Sequence, residues 1–236
     1  MKNSSFDPGR RTFLVKILAG SAFGAFGAGL PSFVRQAAAA GTKSHPQSMQ
    51  KIQGDVKING IPAKPGATVK PGDTVTTGQK SMAVFVVGQS AYLLRENSHL
   101  KLASDSPEKS ENKAANILRL VKGKMLSVFG RGKRKIMTPT AVAGVRGTGI
   151  YLEVEPDRTF ICLCYGTADI DSKVGQRKTV KTKHHGSPMY IYADKTEPIT
   201  GGTLTNHTDE ELIMLESLVG RKPPFVKSPA KSQDGY

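Results

Sequence analysis

The sequence predicts an all-β domain of β-sandwich or jelly-roll type with one short C-terminal helix, a short β-solenoid-like roll being the alternative. Three observations predict it. From Ile52 onward apolar and polar residues alternate over short segments, the period of half-buried strands. The 25 Gly and 14 Pro are spread between those segments rather than gathered in one tract, as turn residues would be. Only one stretch carries both helix start and stop signals, near residues 208–220. Two cysteines are too few for a disulfide scaffold, so the core must come from ordinary burial. With 38% apolar residues and 22% charged ones, the composition excludes a polytopic membrane protein and a coiled coil.

The elements follow in order. Residues 1–40 read as an export segment: a polar start, then Arg10, Arg11, Phe13 and Leu14, an uncharged stretch from Ile17 to Val34, and alanines up to Ala40. The paired arginines followed by Phe-Leu resemble the twin-arginine signal, which implies a bacterial protein delivered already folded to the periplasm. An uncleaved N-terminal anchor facing the periplasm is the alternative, since 18 uncharged residues reach the threshold for spanning a bilayer. Residues 41–50 are a polar linker, and 51–200 the β-domain. Within it, Lys64-Pro65-Gly66-Ala67 and Lys70-Pro71-Gly72-Asp73 predict two type II turns, with Gly supplying φ > 0 at the third position. Ser81–Leu94 predicts two strands around Gly88-Gln89, and Ser98–Leu102 a third. Residues 103–115 read as a surface loop. Ile117–Val128 predicts a strand pair or one bent strand, with Gly123 at the turn or bulge. Arg131–Lys135 reads as a basic loop, Ala141–Val154 as a long strand and Arg158–Asp171 as its hairpin partner. Thr208 with Glu211 three positions on makes a capping box. Leu212, Leu215, Leu218 and Val219 form its apolar stripe, and Gly220 with Pro223-Pro224 stops a helix assigned to 205–220. The tail at 226–236 reads as disordered.

The run Met137-Thr138-Pro139-Thr140-Ala141-Val142-Ala143-Gly144-Val145-Arg146-Gly147-Thr148-Gly149 resembles the FecR-domain family of periplasmic, ferric-citrate-sensor-like proteins. Asp55–Gly60, Pro71–Gly78 and the pairing of Gly123 with Leu126 and Val128 are similar to the same family, so the resemblance covers about residues 52–172. It implies a sandwich-type periplasmic domain used in sensing and in contact with other envelope proteins. The founding member joins such a domain to a cytoplasmic anti-sigma segment, for which residues 1–9 leave no room; direct control of a sigma factor is not expected. Read physically, Pro139 fixes the entry to a strand, Ala141, Ala143 and Gly144 let it lie close under a neighbour, and Gly147 and Gly149 flank a bend. Arg146 is expected to be pinned beside a packed surface by a carboxylate or carbonyl.

Cys162 and Cys164 lie in a predicted strand, so both sulfurs share one face about 7 Å apart. Some twenty residues on, His184-His185 can return on an adjacent strand. Two thiolates with one or two imidazoles suit Zn²⁺ or Cu, and His207 is a more remote ligand candidate. A redox pair and plain buried cysteines are the competing readings.

The net charge is +15. Removing residues 1–40 takes away Lys2, Arg10, Arg11, Lys16 and Arg35 together with Asp7, a net of +4, and leaves +11. Arg131, Lys133, Arg134 and Lys135 form the densest basic patch. A nucleic-acid surface needs stacking aromatics among the charges, and only Phe129 is near, so nucleic acid is not the expected partner. An envelope protein, a small ligand, or an anionic membrane or cell-wall surface is. No Gly-x-Ser-x-Gly, His-Glu-x-x-His or Walker motif occurs. The reading is therefore a non-enzymatic exported domain that binds a ligand or envelope partner in a signalling, sensing or transport context. A metal- or thiol-dependent redox protein and a basic envelope-surface structural protein are the alternatives.

Overall fold

Alternating side chains that are buried on both faces dominate the middle of the chain, and they build two connected layers. The computed structural model describes residues 47–103 and 116–226. The export residues Arg10, Arg11, Phe13 and Leu14, most of the 41–50 linker, the segment 104–115 and the tail from 227 lie outside the described residues. Strands in chain order are β1 (Met49–Gln53), β2 (Val56–Ile58), β3 (Ile61–Pro62), β4 (Thr74–Thr77), β5 (Met82–Val87), β6 (Ser90–Leu94) and β7 (His99–Ala103). They continue with β8 (Ile117–Val128), β9 (Lys133–Met137), β10 (Ala141–Val154), β11 (Arg158–Ser172), β12 (Arg177–Thr182), β13 (Gly186–Tyr192) and β14 (Ile199–Gly201), and helix α1 (Asp209–Leu218) ends the fold. All the strands belong to one hydrogen-bonded sheet, which does not close into a barrel.

Three long strands serve both layers. The N-terminal half of β8 pairs with β7 and its C-terminal half with β6. In β10 the first half pairs with β9 and the second with β8. In β11 the first half pairs with β13 and the second with β12. One layer is thus β1-β5-β6-β8-β10-β11-β13-β14 and the other β3-β2-β4-β7-β8-β9-β10-β11-β12, the two being continuous through β8, β10 and β11. Phe85, Tyr92, Leu94, Ile150, Leu152 and Ile161 from the first layer and Leu100, Leu118, Ile136, Val145 and Ile170 from the second form one core between them.

The strands change layers at glycines. Gly123 in β8, Gly147 in β10 and Gly166 in β11 have φ of +91°, +57° and +98°, values that side chains disfavour. Close approach adds to this at two of them. A Cβ at Gly123 would lie 2.4 Å from Ser98 Cα, and one at Gly166 2.8 Å from the Gly147 carbonyl oxygen. The expected bent strand at 117–128 is therefore one continuous strand folded over Gly123.

Period-2 alternation then loads the outer face of the first layer. Met82, Val84, Val86, Leu93, Leu126, Tyr151, Phe160, Cys162 and Cys164 point away from the inter-layer core and pack under Leu212, Met214, Leu215 and Leu218 of α1. The helix begins as its spacing predicts: Glu211 N–H donates to Thr208 Oγ1, and Thr208 N–H to Glu211 Oε2. Two buried carboxylates fasten it. Glu211 accepts two hydrogen bonds from Arg95 Nη2 at 2.9 and 3.0 Å, and Glu216 accepts from Tyr165 Oη and, at 2.6 Å, from Arg221 Nε. No helix among the described residues is long and apolar enough to cross a membrane.

Local chemistry follows the turn rules at both Pro-Gly repeats. Ala67 N–H donates to Lys64 O and Asp73 N–H to Lys70 O, with Gly66 and Gly72 at φ of +82° and +101°. One expectation is corrected: Lys133, Arg134 and Lys135 are not in a loop but in β9, pairing with Arg146, Val145 and Gly144, while Arg131 precedes the strand. Alternation there places lysines and an arginine where a buried strand would carry apolar residues, which is why the segment reads as a loop.

Candidate functional site

The most chemically loaded place in the molecule lies where α1 meets the sheet. Strand alternation turns Ile161 and Leu163 toward the inter-layer core and Cys162 and Cys164 toward the helix, and both thiols are fully buried and free. The turn after β12 brings in His185, whose N–H donates to Cys164 O at 2.7 Å. The residues leading into α1 bring in His207, stacked on the Tyr151 ring with centroids 4.5 Å apart. One ligand atom from each of Cys162, Cys164, His185 and His207 falls within 4.8 Å of all the others.

The arrangement differs from the sequence expectation in one member. His184 lies outside the thiol set: its Nε2 donates to both oxygens of Asp209 at 2.8 and 2.9 Å, and its ring packs against Phe225. His207 takes the fourth place. The reason is tertiary: Asp209 and Phe225 hold the His184 ring on the exposed side of His185, and docking of α1 carries His207 over the cysteines.

Hydrogen bonds fix both imidazoles. His185 Nε2 donates to Asp209 Oδ1 at 2.8 Å, leaving Nδ1 bare 3.9 Å from Cys162 Sγ. His207 Nδ1 donates to Thr205 O at 2.6 Å, and its Nε2 is buried without a hydrogen-bond partner among the described residues. The thiols are unequal. The Cys164 hydrogen bond, aided by His207 and His185, outweighs burial and holds Cys162 well below the usual thiol range. Burial, and the hydrogen bond and charge of Cys162, push Cys164 up. Burial works against the Asp209 carboxylate but is overcome by the hydrogen bonds from His184 and His185, which hold its pKa below the ordinary value. Chemically, this is a cradle of two sulfur and two nitrogen donors with its outer hydrogen bonds already made.

The family-like run before and within β10 splits into structural and exposed parts. Thr138 Oγ1 accepts from Ala141 N–H at 3.0 Å, and the Thr138, Thr159 and Thr140 hydroxyls link at 2.9 and 2.8 Å in a buried chain. Pro139 lies in that turn, and Gly144 and Thr148 follow in β10, Thr148 being buried. Arg146 is not pinned. Its side chain is exposed and makes no ion pair or hydrogen bond among the described residues, because it stands on the outer face of the sheet opposite Lys133 and Thr167. With Lys133, Arg134, Gly144, Val145, Thr167 and Asp169 it lines a shallow cavity of about 400 Å³. Lys133 and Lys135 of the basic patch thus share the outer sheet face with Arg146 of the family run, whereas Arg134, opposite the buried Val145, alternates to the other face and buries its Nε.

The model of the FecR protein family matches residues 73–169, which run from the end of the second Pro-Gly turn into β11. Among solved structures, two crystal structures of a protein provisionally named an anti-sigma factor, from Parabacteroides distasonis ATCC 8503, are similar. They have TM-scores of 0.44 and 0.43 and 9% identity, over 55% of this chain and 58% of theirs. The chain thus matches less than two thirds of the length of those structures. A comparison with curated proteins finds no match.

Proposed function

We propose, from the match of residues 73–169 to the FecR protein family, that the chain is an exported, non-enzymatic sensing domain that acts by binding a protein partner in the bacterial envelope. The single observation that carries the reading is the family match, which spans the strands that form the corner and the basic face. A signalling or sensing role belongs to that family assignment; export, the periplasmic address and the nature of the partner are the proposal. The twin-arginine-like Arg10 and Arg11 support delivery in a folded state.

The basic face supports an acidic partner. Lys133, Arg134 and Arg146 stand together on neighbouring strands with only Asp169 lining the same cavity as a counter-charge. Such a single-sign surface speeds encounter with an acidic segment and weakens as salt screens it.

The test uses the full chain in its native bacterium. Arg10→Lys with Arg11→Lys should leave the protein in the cytoplasm. A photo-crosslinking residue placed at Arg146 should trap one discrete envelope protein, and Lys133→Glu with Lys135→Glu should abolish that band. Normal export of the double-lysine variant would overturn the twin-arginine route. Crosslinks absent, or unaffected by charge reversal, would overturn binding through this face.

A further inference from the structure

We propose that Cys162, Cys164, His185 and His207 form a closed four-ligand site for a soft tetrahedral cation, Zn²⁺ or Cu⁺, and that occupying it fastens α1 to the sheet. The donor set is two sulfurs and two imidazole nitrogens, the combination that structural zinc sites use and that thiophilic Cu⁺ also accepts. Metal–ligand bonds of about 2.3 Å to sulfur and 2.0–2.1 Å to nitrogen put tetrahedral ligands about 3.3–3.8 Å apart. The 3.9 Å between Cys162 Sγ and His185 Nδ1 is just above that spacing, and the whole set lies within 4.8 Å, so closing on an ion needs only side-chain adjustment.

Three further features point to a cation rather than to four packed side chains. The Nε2 of His207 is buried with no hydrogen-bond partner among the described residues, a costly state that a bound cation would relieve. Each imidazole already donates its other N–H outward, His185 to a carboxylate and His207 to a backbone carbonyl. Those are the outer-shell contacts that orient metal-bound histidines. Asp209 also accepts from His184, so these two residues serve as the outer shell behind the ligand His185 and not as a second site. Four protein ligands leave no open position, so the site suits holding or sensing an ion and not catalysis on it.

The ligands come from separate parts of the chain. Two sit on β11, one on the turn before β13, and His207 lies two residues ahead of Asp209, where α1 begins. A cation held by all four ties the N-terminal end of the helix to the sheet. The site therefore couples ion occupancy to the docking of α1.

The experiment starts with full-length protein purified in reductant without chelator, analysed for transition metals. About one equivalent of Zn or Cu is expected. Metal-free protein titrated with Co²⁺ should develop the sulfur-to-metal charge-transfer band and the intense visible bands of a tetrahedral thiolate site, and Zn²⁺ or Cu⁺ should bleach them. His207→Gln and Cys164→Ser should remove the spectrum. Asp209→Asn should weaken binding about 10–100-fold, as outer-shell changes do. Phe225→Leu, which changes the packing on His184 and Tyr165 but removes no ligand, should leave one equivalent bound. Hydrogen exchange of the α1 amides should slow about 100-fold at a free ion concentration of 100 times Kd. Less than about one tenth of an equivalent in the purified protein, together with no charge-transfer band in the wild-type Co²⁺ titration, would overturn the site. A normal spectrum with unchanged exchange in α1 would overturn the fastening. Both decisive readouts use the wild-type chain, so a variant that fails to fold cannot mask the answer.

Discussion

At the scale of single residues, the attachment of α1 rests on Glu211, a carboxylate only 4% exposed. It accepts from Arg95 and from Thr208 N–H, closing the capping box and the tertiary contact with one side chain. Thr208 and Glu211 are legible in the sequence, because a cap needs only a spacing of three. Arg95 is not, since it lies 116 residues away and is selected by the docking of the helix. Removing Arg95 strands a buried charge, which costs more than losing the pair together. Arg95→Met should therefore lower the unfolding free energy by about 3 kcal/mol in urea titrations. The double variant Arg95→Met, Glu211→Gln should recover about 1 kcal/mol or more relative to additivity. Strict additivity would show that the pair is too well solvated to matter. The same limit on sequence reading explains the cysteine cluster: Cys162 and Cys164 share a face by strand alternation alone, whereas the exchange of His184 for His207 depends on where a helix lands.

At the scale of elements, the fold turns on the glycines at which β8, β10 and β11 pass from one layer to the other. Gly123 is legible as a bend from the residues around it, and Gly147 from the run that contains it. That Gly147 stands beside Gly166 at one corner, while Gly123 lies opposite Val154 at the C-terminal end of β10, follows only from the register of the three strands. Gly166 tests the corner most directly. At φ of +98° with a Gly147 oxygen 2.8 Å from where a Cβ would sit, alanine meets both backbone strain and a clash with main chain. Gly175, in the turn between β11 and β12, has φ of +94° and open space around it. Gly166→Ala should cost about 2–4 kcal/mol and Gly175→Ala only about 1 kcal/mol, both read from thermal or urea unfolding. Equal losses would mean that the corner tolerates a methyl group and that strain alone sets the cost. The element that the sequence hides is β9. Its Lys133, Arg134 and Lys135 look like a loop, yet β8 and β10 supply hydrogen-bonding partners on both sides, and a strand paired on both edges needs no apolar outer face.

At the scale of the whole molecule, an all-β chain with few aromatics concentrates its tyrosines in the two apolar clusters, and that sets its response to alkali. Tyr92 is fully buried between Phe85 and Phe129, with ring centroids 5.0 and 5.9 Å away. Burial pushes its hydroxyl up to about 12 from an ordinary value of 10.0. Burial, then the neighbouring carboxylates Glu153 and Glu216, raise Tyr151 and Tyr165 as well. A folded state that holds these protons more tightly than the unfolded chain keeps their full contribution below pH 10. It loses that contribution as the pH climbs through the raised values. For Tyr92 that contribution is about 3 kcal/mol, lost between pH 10 and 12. Lysines that deprotonate in the same interval change the net charge and so the background stability. The comparison that isolates the tyrosine is therefore wild type against Tyr92→Phe, which keeps the stacked ring and removes only the ionising group. The urea midpoint of the wild type should fall more steeply between pH 10 and 12 than that of the variant, by the slope of about one proton, and the two should run parallel below pH 9. Parallel curves throughout would mean that Tyr92 reaches solvent as its anion without unfolding, and that the core around Phe85 and Phe129 opens locally instead.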